Sequence, residues 1–239
     1  MRILITGGSG FFGKSLLSYL LRNTKEDVFT LSRSPNEYYQ HLQCDLTDVK
    51  RTKEVLDIVK PEIVFHLSGI PHVKPNEENP SKTLIDNISS THNLIHNLKN
   101  KPRVVFSSSV TVFGFFSKRN PCWWNSETQP ISLYATSKLA CENIIRVYHT
   151  EGKINGTSVR IPALTGVGAT HGLIKDLITK LESSDKTLNL FGAKPGSIKP
   201  FMMVDDCSEI FYKIATEQKG YDEVGLTSIV GTKDSLAVL

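Results

Sequence analysis

The chain has 239 residues, 39% of them hydrophobic, and a formal charge of +4, enough for one sizeable buried core and a smaller second lobe. No stretch reaches the length of a membrane span, and Met1 leads into a strand pattern without a secretory leader's basic and apolar regions, so a cytoplasmic protein with no membrane partner is expected. The basic residues form no stripe, which argues against nucleic acid, and Cys44, Cys122, Cys141 and Cys207 lack CxxC spacing, which argues for reduced thiols.

Residues 3–6 form a short apolar strand that runs into Gly7-Gly8-Ser9-Gly10-Phe11-Phe12-Gly13-Lys14-Ser15 and then a helical pattern over 12–23. Glycines let a backbone turn sharply beside a pyrophosphate, whose charge is met by the N–H groups and dipole of the next helix. The segment fits two motifs: a dinucleotide turn with Gly8, Gly10 and Gly13, and a Walker A loop with Gly8, Gly13, Lys14 and Ser15. The second reading, a P-loop nucleotide triphosphatase, needs a carboxylate at the end of another apolar strand. Residues 63–65 and 104–106 end instead in His66 and Ser107, and only residues 201–204 are followed by acids, Asp205 and Asp206. The dinucleotide reading is the stronger.

Further strands are predicted over 28–32, 63–67, 104–108 and 158–161, separated by helices over 48–59, 81–98 and 132–150. The strands are apolar on both faces and the links long enough for crossover helices. The class implied is α/β, a Rossmann-like doubly wound parallel sheet binding its ligand at the carboxyl ends of the strands. His92 and His96 stand one helical turn apart, but no third ligand is near them in sequence and no metal is expected. Phe113, Phe115, Phe116, Trp123 and Trp124 surround Lys118 and Arg119, a composition that suits stacking on a base or sugar and equally suits a core or oligomer contact. From about Gly168 the elements shorten and Gly and Pro spread through 190–200. The expected division is a dinucleotide-binding domain over 1–167 and a small, shortened substrate lobe over 168–239, interleaved with it.

Tyr134-Ala135-Thr136-Ser137-Lys138 puts a phenol and an ammonium on one helix face. Bringing a phenol from pH ~10 to about 7 takes roughly 4 kcal/mol of extra phenolate stabilisation. A neighbouring cation and a hydroxyl donor such as Ser109 would supply part of it.

In order along the chain, these segments resemble the extended short-chain dehydrogenase/reductases, the NAD-dependent epimerase/dehydratase family. The Thr6 to Gly13 turn is similar to the family's TGxxGxxG, Asp45-Leu46-Thr47-Asp48 to its adenine-side acidic motif, and His66-Leu67-Ser68-Gly69 to its strand-end motif. Asn87 lies in a helix like NxxGTxNLL, Ser107 to Gly114 resembles SSSxxVYG, and Tyr134 to Lys138 resembles YxxSK. Arg160-Ile161-Pro162 and Lys199 to Asp206 resemble the substrate-side LRxxNVYG and RDFxxVDD segments.

The resemblance implies hydride transfer between NAD(P) and a nucleotide-linked sugar, as an epimerase or ketosugar reductase. Tyr134 would be the acid/base, Lys138 would hold the cofactor ribose, and Ser109 would bind the reacting oxygen. The implied cofactor site comprises Gly7, Gly10, Phe11, Phe12, Gly13, Ser32, Arg33, Asp45, Leu46, Leu67, Ser68, Gly69, Asn87, Ser107 and Ile161, with Tyr134 and Lys138. Ser109, Val110, Thr111, Arg160 and Lys199 face the substrate, and pairing through two helices implies a homodimer. Three departures from the family matter. Ser32-Arg33 stands where a ribose-binding acid is expected, which favours NADP over NAD. Val110 and Thr111 stand where 4,6-dehydratases carry an Asp-Glu pair, which disfavours that reaction. The chain also ends soon after Asp205-Asp206, so a second class, a non-catalytic NAD(P)-binding regulator, stays in view.

Overall fold

In the computed structural model the five predicted strands all form, joined by short ones that the hydrophobic pattern does not reveal. The structure describes residues 1–38, 40–70, 81–114, 126–170, 172–183, 198–217, 223–225 and 230–232, with the backbone alone at 198–199, 223–225 and 230–232. The strands are β1 (Arg2–Thr6), β2 (Asp27–Ser32), β3 (His41–Gln43), β4 (Ile63–His66), β5 (Arg103–Ser109), β6 (Asn155–Ile161), β7 (Ala163–Thr165), β8 (Ile198–Met203), β9 (Glu223–Gly225) and β10 (Val230–Thr232). The helices are α1 (Phe11–Asn23), α2 (Val49–Val59), α3 (Ser81–Asn97), α4 (Leu133–Thr150), α5 (Leu173–Glu182) and α6 (Val204–Glu217).

Seven strands make one parallel sheet in the order β3-β2-β1-β4-β5-β6-β9. The chain builds outward from β1 to β3, then crosses back to lay β4 on the other side of β1. Between β1 and β4 the order reverses, and such a switch point opens a crevice at the strands' carboxyl ends.

Period-two alternation explains why the strands are apolar throughout. Leu4, Val64, Val104 and Phe106 pack on one face with Val55 and Leu56 of α2, Leu94 of α3 and Ile145 of α4. Ile3, Ile5, Phe65 and Val105 pack on the other with Leu16 and Leu20 of α1 and Phe211 of α6. With both faces covered, every residue of β4 and β5 is buried.

Local chemistry sets the helix ends. The Asp48 carboxylate accepts from Arg51 N at 3.0 Å to start α2, and Lys60, with φ of 47°, ends it. Ser132 Oγ accepts from Ala135 N at 3.1 Å to start α4. α1 differs, because Gly10 is its N-cap and no side chain caps it.

Beyond β6 the chain forms a second sheet, β10-β8-β7, and α5, none of whose residues is buried. It then returns to the main sheet, where β9 pairs with β6. Residues after 168 therefore contribute both to a small lobe and to the edge of the main sheet.

Candidate active site

The glycine turn closes tightly. Gly7 has φ of +75°, and a Cβ there would meet Ser68 N at 2.9 Å. Gly7 N and Gly8 N both donate to Leu31 O, at 2.7 and 3.2 Å. A Cβ on Gly13 would lie 2.2 Å from Gly7 O, so only glycine lets α1 press against the strand end. With no side-chain cap, the first N–H groups of α1 are left to an anion.

This geometry removes the P-loop alternative. α1 opens at Phe11, so Lys14 lies inside the helix, on its exposed side. The turn from Gly7 to Gly10 is too short to wrap a triphosphate. Ser15 Oγ donates to Asp205 Oδ1 at 2.8 Å and lies 2.9 Å from Ser208 Oγ, which ties α1 to α6.

A cleft of about 220 Å³ runs from this turn along the carboxyl ends of the strands. Gly7 and Gly10 line its middle, and Ser32, Arg33, Asp45 and Leu46 its outer end. Leu67, Ser68, Gly69 and Asn87 line its inner end. Arg33 is exposed and attracts the Asp45 carboxylate. Burial raises the Asp45 pKa, but bonds from Thr47 N and Oγ1 at 2.9 and 2.8 Å, with the Arg33 and Lys82 charges, outweigh it and hold the acid below its usual range.

The other predicted cofactor residues act from behind the cleft. Phe11 begins α1, and the Phe12 ring packs edge-on against Phe211 with centroids 4.8 Å apart. Ile161 is paired in register with Ser109 at the end of β6. Ser107 O accepts from Lys138 Nζ at 2.8 Å.

At the inner end three predicted catalytic side chains come together. Lys138 is 5% exposed, and its Nζ lies 5.8 Å from the Tyr134 ring centroid. A Cβ on Gly69 would approach that Nζ to 3.4 Å, so the ammonium sits beside the cleft floor. Burial pushes the Lys138 pKa down to about 8, against the opposing pull of Cys141 and Glu142. Ser109 Oγ accepts from Thr111 N at 3.2 Å and from Thr111 Oγ1 at 2.9 Å. Its own hydrogen is thereby left for the neighbouring Tyr134, whose pKa the Ser109 hydroxyl lowers.

Burial nonetheless holds the Tyr134 pKa above its ordinary value, and the Ser109 bond offsets this only in part. Lys138, with its Nζ 5.8 Å from the ring centroid and bonded to the Ser107 carbonyl, is not among the groups that shift Tyr134 here.

Arg160, expected beside the substrate, is 4% exposed and grips Glu142 with two bonds of 3.0 and 2.8 Å, its guanidinium 4.8 Å from the Phe113 ring centroid. Thr111 holds Ser109, and Val110 opens the short 3-10 turn after β5. Lys199 lies in β8, and its side chain is outside the described residues, as are Phe115, Phe116, Lys118, Arg119, Cys122, Trp123, Trp124 and residues 190–197.

Behind the cleft, residues of several of these motifs are bonded to one another. His66 is fully buried between Thr6 Oγ1, 2.8 Å from Nδ1, and Thr91 Oγ1, 2.9 Å from Nε2. Thr91 spends its hydrogen on Asn87 O or Cys141 Sγ, so Nε2 must carry the imidazole proton. Burial, with the Lys138 charge, lowers the His66 pKa to about 3, so the ring is neutral. Asn87 bonds Ile70 N and O at 2.8 and 3.2 Å and Ser137 Oγ at 3.0 Å, and Ser137 Oγ donates to Tyr134 O at 2.7 Å. One hydrogen-bonded path thus runs from β1 through β4 and α3 to the turn that carries Tyr134.

Among the described residues no group of three or more His, Cys, Asp or Glu gathers in a way that could hold a metal ion, and no helix is long and apolar enough to cross a membrane.

Residues 3–225 match the family model for the NAD dependent epimerase/dehydratase family. The chain is 29% identical over 238 residues to GDP-6-deoxy-D-talose 4-dehydrogenase of Aggregatibacter actinomycetemcomitans, covering 97% of this chain and 76% of that protein. It is 27% identical to UDP-glucuronate 4-epimerase 4 of Arabidopsis thaliana, covering 85% of this chain and 51% of that protein, so it spans about half the plant protein's length. Its fold is that of the Thermus thermophilus UDP-glucose 4-epimerase in complex with NAD, with a TM-score of 0.84 at 22% identity over 100% of this chain and 81% of that one. The Thermotoga maritima UDP-glucose 4-epimerase with UDP-glucose superposes with a TM-score of 0.87 at 20% identity, covering 99% and 80%.

Proposed function

The chain belongs to the NAD dependent epimerase/dehydratase family, and from that premise we propose that it transfers a hydride between a nicotinamide cofactor and a nucleotide-linked sugar, with Tyr134 as acid/base. The observation that carries this reading is that Lys138, with Tyr134 and Ser109 beside it, lies against Gly69 in the lining of a cleft that also takes in the uncapped N-terminus of α1. The residues fit a dinucleotide: Gly7, Gly10 and Gly13 leave the backbone bare where a pyrophosphate would lie, and Lys138 sits beside the cleft floor at Gly69.

When bound, the cofactor supplies the hydride donor or acceptor and, oxidised, a positive ring that favours phenolate. The chain's residues handle the proton. Ser109 donates to the Tyr134 oxygen and stabilises its anion, while Lys138 offers hydrogens to the ribose and attracts the phenolate. Tyr134 then takes the proton from a sugar hydroxyl as the carbonyl forms, or returns it as the carbonyl is reduced. Such chemistry serves an epimerase and a ketosugar reductase alike.

The finer parts of the reading rest on particular side chains. Arg33 at the outer end of the cleft favours a 2′-phosphate, hence NADP over NAD. Exposed Ile85 and Val147 on α3 and α4 support a homodimer through that face. Buried thiols at Cys44, Cys141 and Cys207 suit a reducing cytoplasm.

Calorimetry with NADPH and NADH, followed by cofactor absorbance with UDP-, GDP- and dTDP-linked sugars and ketosugars, tests the proposal. Cofactor binding with turnover of one such sugar, lost in Tyr134→Phe, is expected. Cofactor binding without turnover of any of them would favour the regulator.

A further inference from the structure

The serines that end β5 engage α4 in a regular way. Ser109 acts on the Tyr134 phenol, the Ser107 carbonyl takes Lys138, and the Ser108 hydroxyl donates to Glu142. Residues 134, 138 and 142 are successive turns of one helix face. The third turn has no role in the chemistry proposed above, yet Glu142 is 1% exposed and held by both arms of the Arg160 guanidinium.

We propose that Glu142 is a positioning residue for the candidate catalytic pair: clamped by Arg160 and Ser108 it fixes the register of α4 on β5 and β6, and its carboxylate keeps the Lys138 ammonium charged. The inference rests on the cofactor-dependent reading above.

A buried ion clamp is rarely a net source of stability, since the cost of stripping water from both ions offsets their attraction, so its retention calls for another reason. Electrostatics supplies one. Lys138 is buried, and the charged or titratable groups around it are few among the described residues. On its own helix these are Tyr134, Cys141 and Glu142, and burial keeps the Cys141 thiol protonated. From β4 comes His66, which is neutral, and from β6 comes Arg160, a cation. From α3 come Lys82 and Asp86, paired with each other at 2.7 Å, and beyond them His92 and His96. Glu142 is therefore the one anion in the buried layer with Lys138 among the described residues. Without it, two cations would share that layer and Lys138 would shed its proton at a lower pH. With Arg160 neutralised the reverse holds, because Glu142 would act on Lys138 undivided.

The test is cofactor affinity as a function of pH, by calorimetry with NADPH and NADH from pH 6 to pH 9. In the wild type, affinity is expected to fall as Lys138 deprotonates on the alkaline side. Glu142→Gln keeps the shape and should move that midpoint down by about one pH unit, so that affinity stays close to wild type at pH 6, drops about twofold at neutral pH and about tenfold at pH 9. Arg160→Gln should move it up. Opposite shifts from the two halves of one clamp are not produced by a loss of packing, which would weaken binding at every pH. Unmoved midpoints, or shifts of the same sign, overturn the proposal. If Glu142→Gln does not fold, the sign of the Arg160→Gln shift decides alone. A wild type that binds neither cofactor at any pH defeats the functional reading itself; binding with unmoved variants defeats only the role of Glu142.

Discussion

At the outer end of the cleft Arg33 stands in solvent and Asp45 is held by its neighbour Thr47, whereas toward the inner end Lys138, Glu142, Arg160 and His66 are each at most 5% exposed and bonded across six elements. The outer groups answer to water and can be exchanged singly. The inner groups answer to one another, because in a low dielectric each unpaired partner would cost more than the bond it lost. Selectivity for a cofactor can therefore drift at one end while the chemistry at the other is locked by its surroundings.

The largest effect should come from the inner end. Tyr134→Phe is expected to lower turnover by about 10²–10⁴-fold while leaving calorimetric cofactor affinity nearly unchanged. Equal losses in both would show that Tyr134 holds the cofactor and would blur the contrast.

The buried imidazole should show itself as acid lability. His66 has a folded pKa of about 3 against 6.5 when exposed, so between those values the unfolded chain binds the extra proton and stability falls as pH falls. The full contribution is on the order of 5 kcal/mol, present above pH 6.5 and lost as the pH drops toward 3. Urea unfolding of the wild type and of His66→Asn should diverge in slope by one proton over that window, and parallel curves would remove His66 from the account.

The turn between the two ends is tested by Gly13→Ala. A methyl group set 2.2 Å from a backbone carbonyl cannot be relieved by rotating a side chain. A stability loss of roughly 1–3 kcal/mol, with weakened binding of both cofactors, is expected in thermal melts and calorimetry. The smallest effect belongs to the outer end, where Arg33→Ala should weaken NADPH by about tenfold, roughly 1.4 kcal/mol, and leave NADH unchanged. Equal losses of both would assign Arg33 to the adenosine itself and withdraw the preference for NADP.

The same contrast separates what could be read in the sequence from what could not. The strands around the switch point were legible because burial on both faces leaves unbroken apolar runs such as Ile63-Val64-Phe65. The glycine turn and Tyr134 to Lys138 were legible because each is contiguous or lies within one helical turn. β3 and β9 were not, being three residues each at or next to a sheet edge, where little apolar pattern is required. Glu142 escaped, and Arg160 was read as facing the substrate, for another reason: their partnership spans 18 residues and two elements, and a charged residue in a helix reads as solvated until its neighbours are known. Burial also acts against the lowering expected of Tyr134, and it cannot be read from a Tyr-to-Lys spacing.

The three described thiols are placed one to a region: Cys44 under the outer end of the cleft, Cys141 beside Lys138, and Cys207 between α6 and α1. Burial raises the pKa of each, so none offers a ready thiolate to an alkylating reagent while its surroundings stay closed. Their labelling rates, resolved by peptide mass, are three native clocks for local opening. A cofactor that slows Cys44 and Cys141 but not Cys207 would have stiffened the cleft while leaving the back of the sheet to breathe.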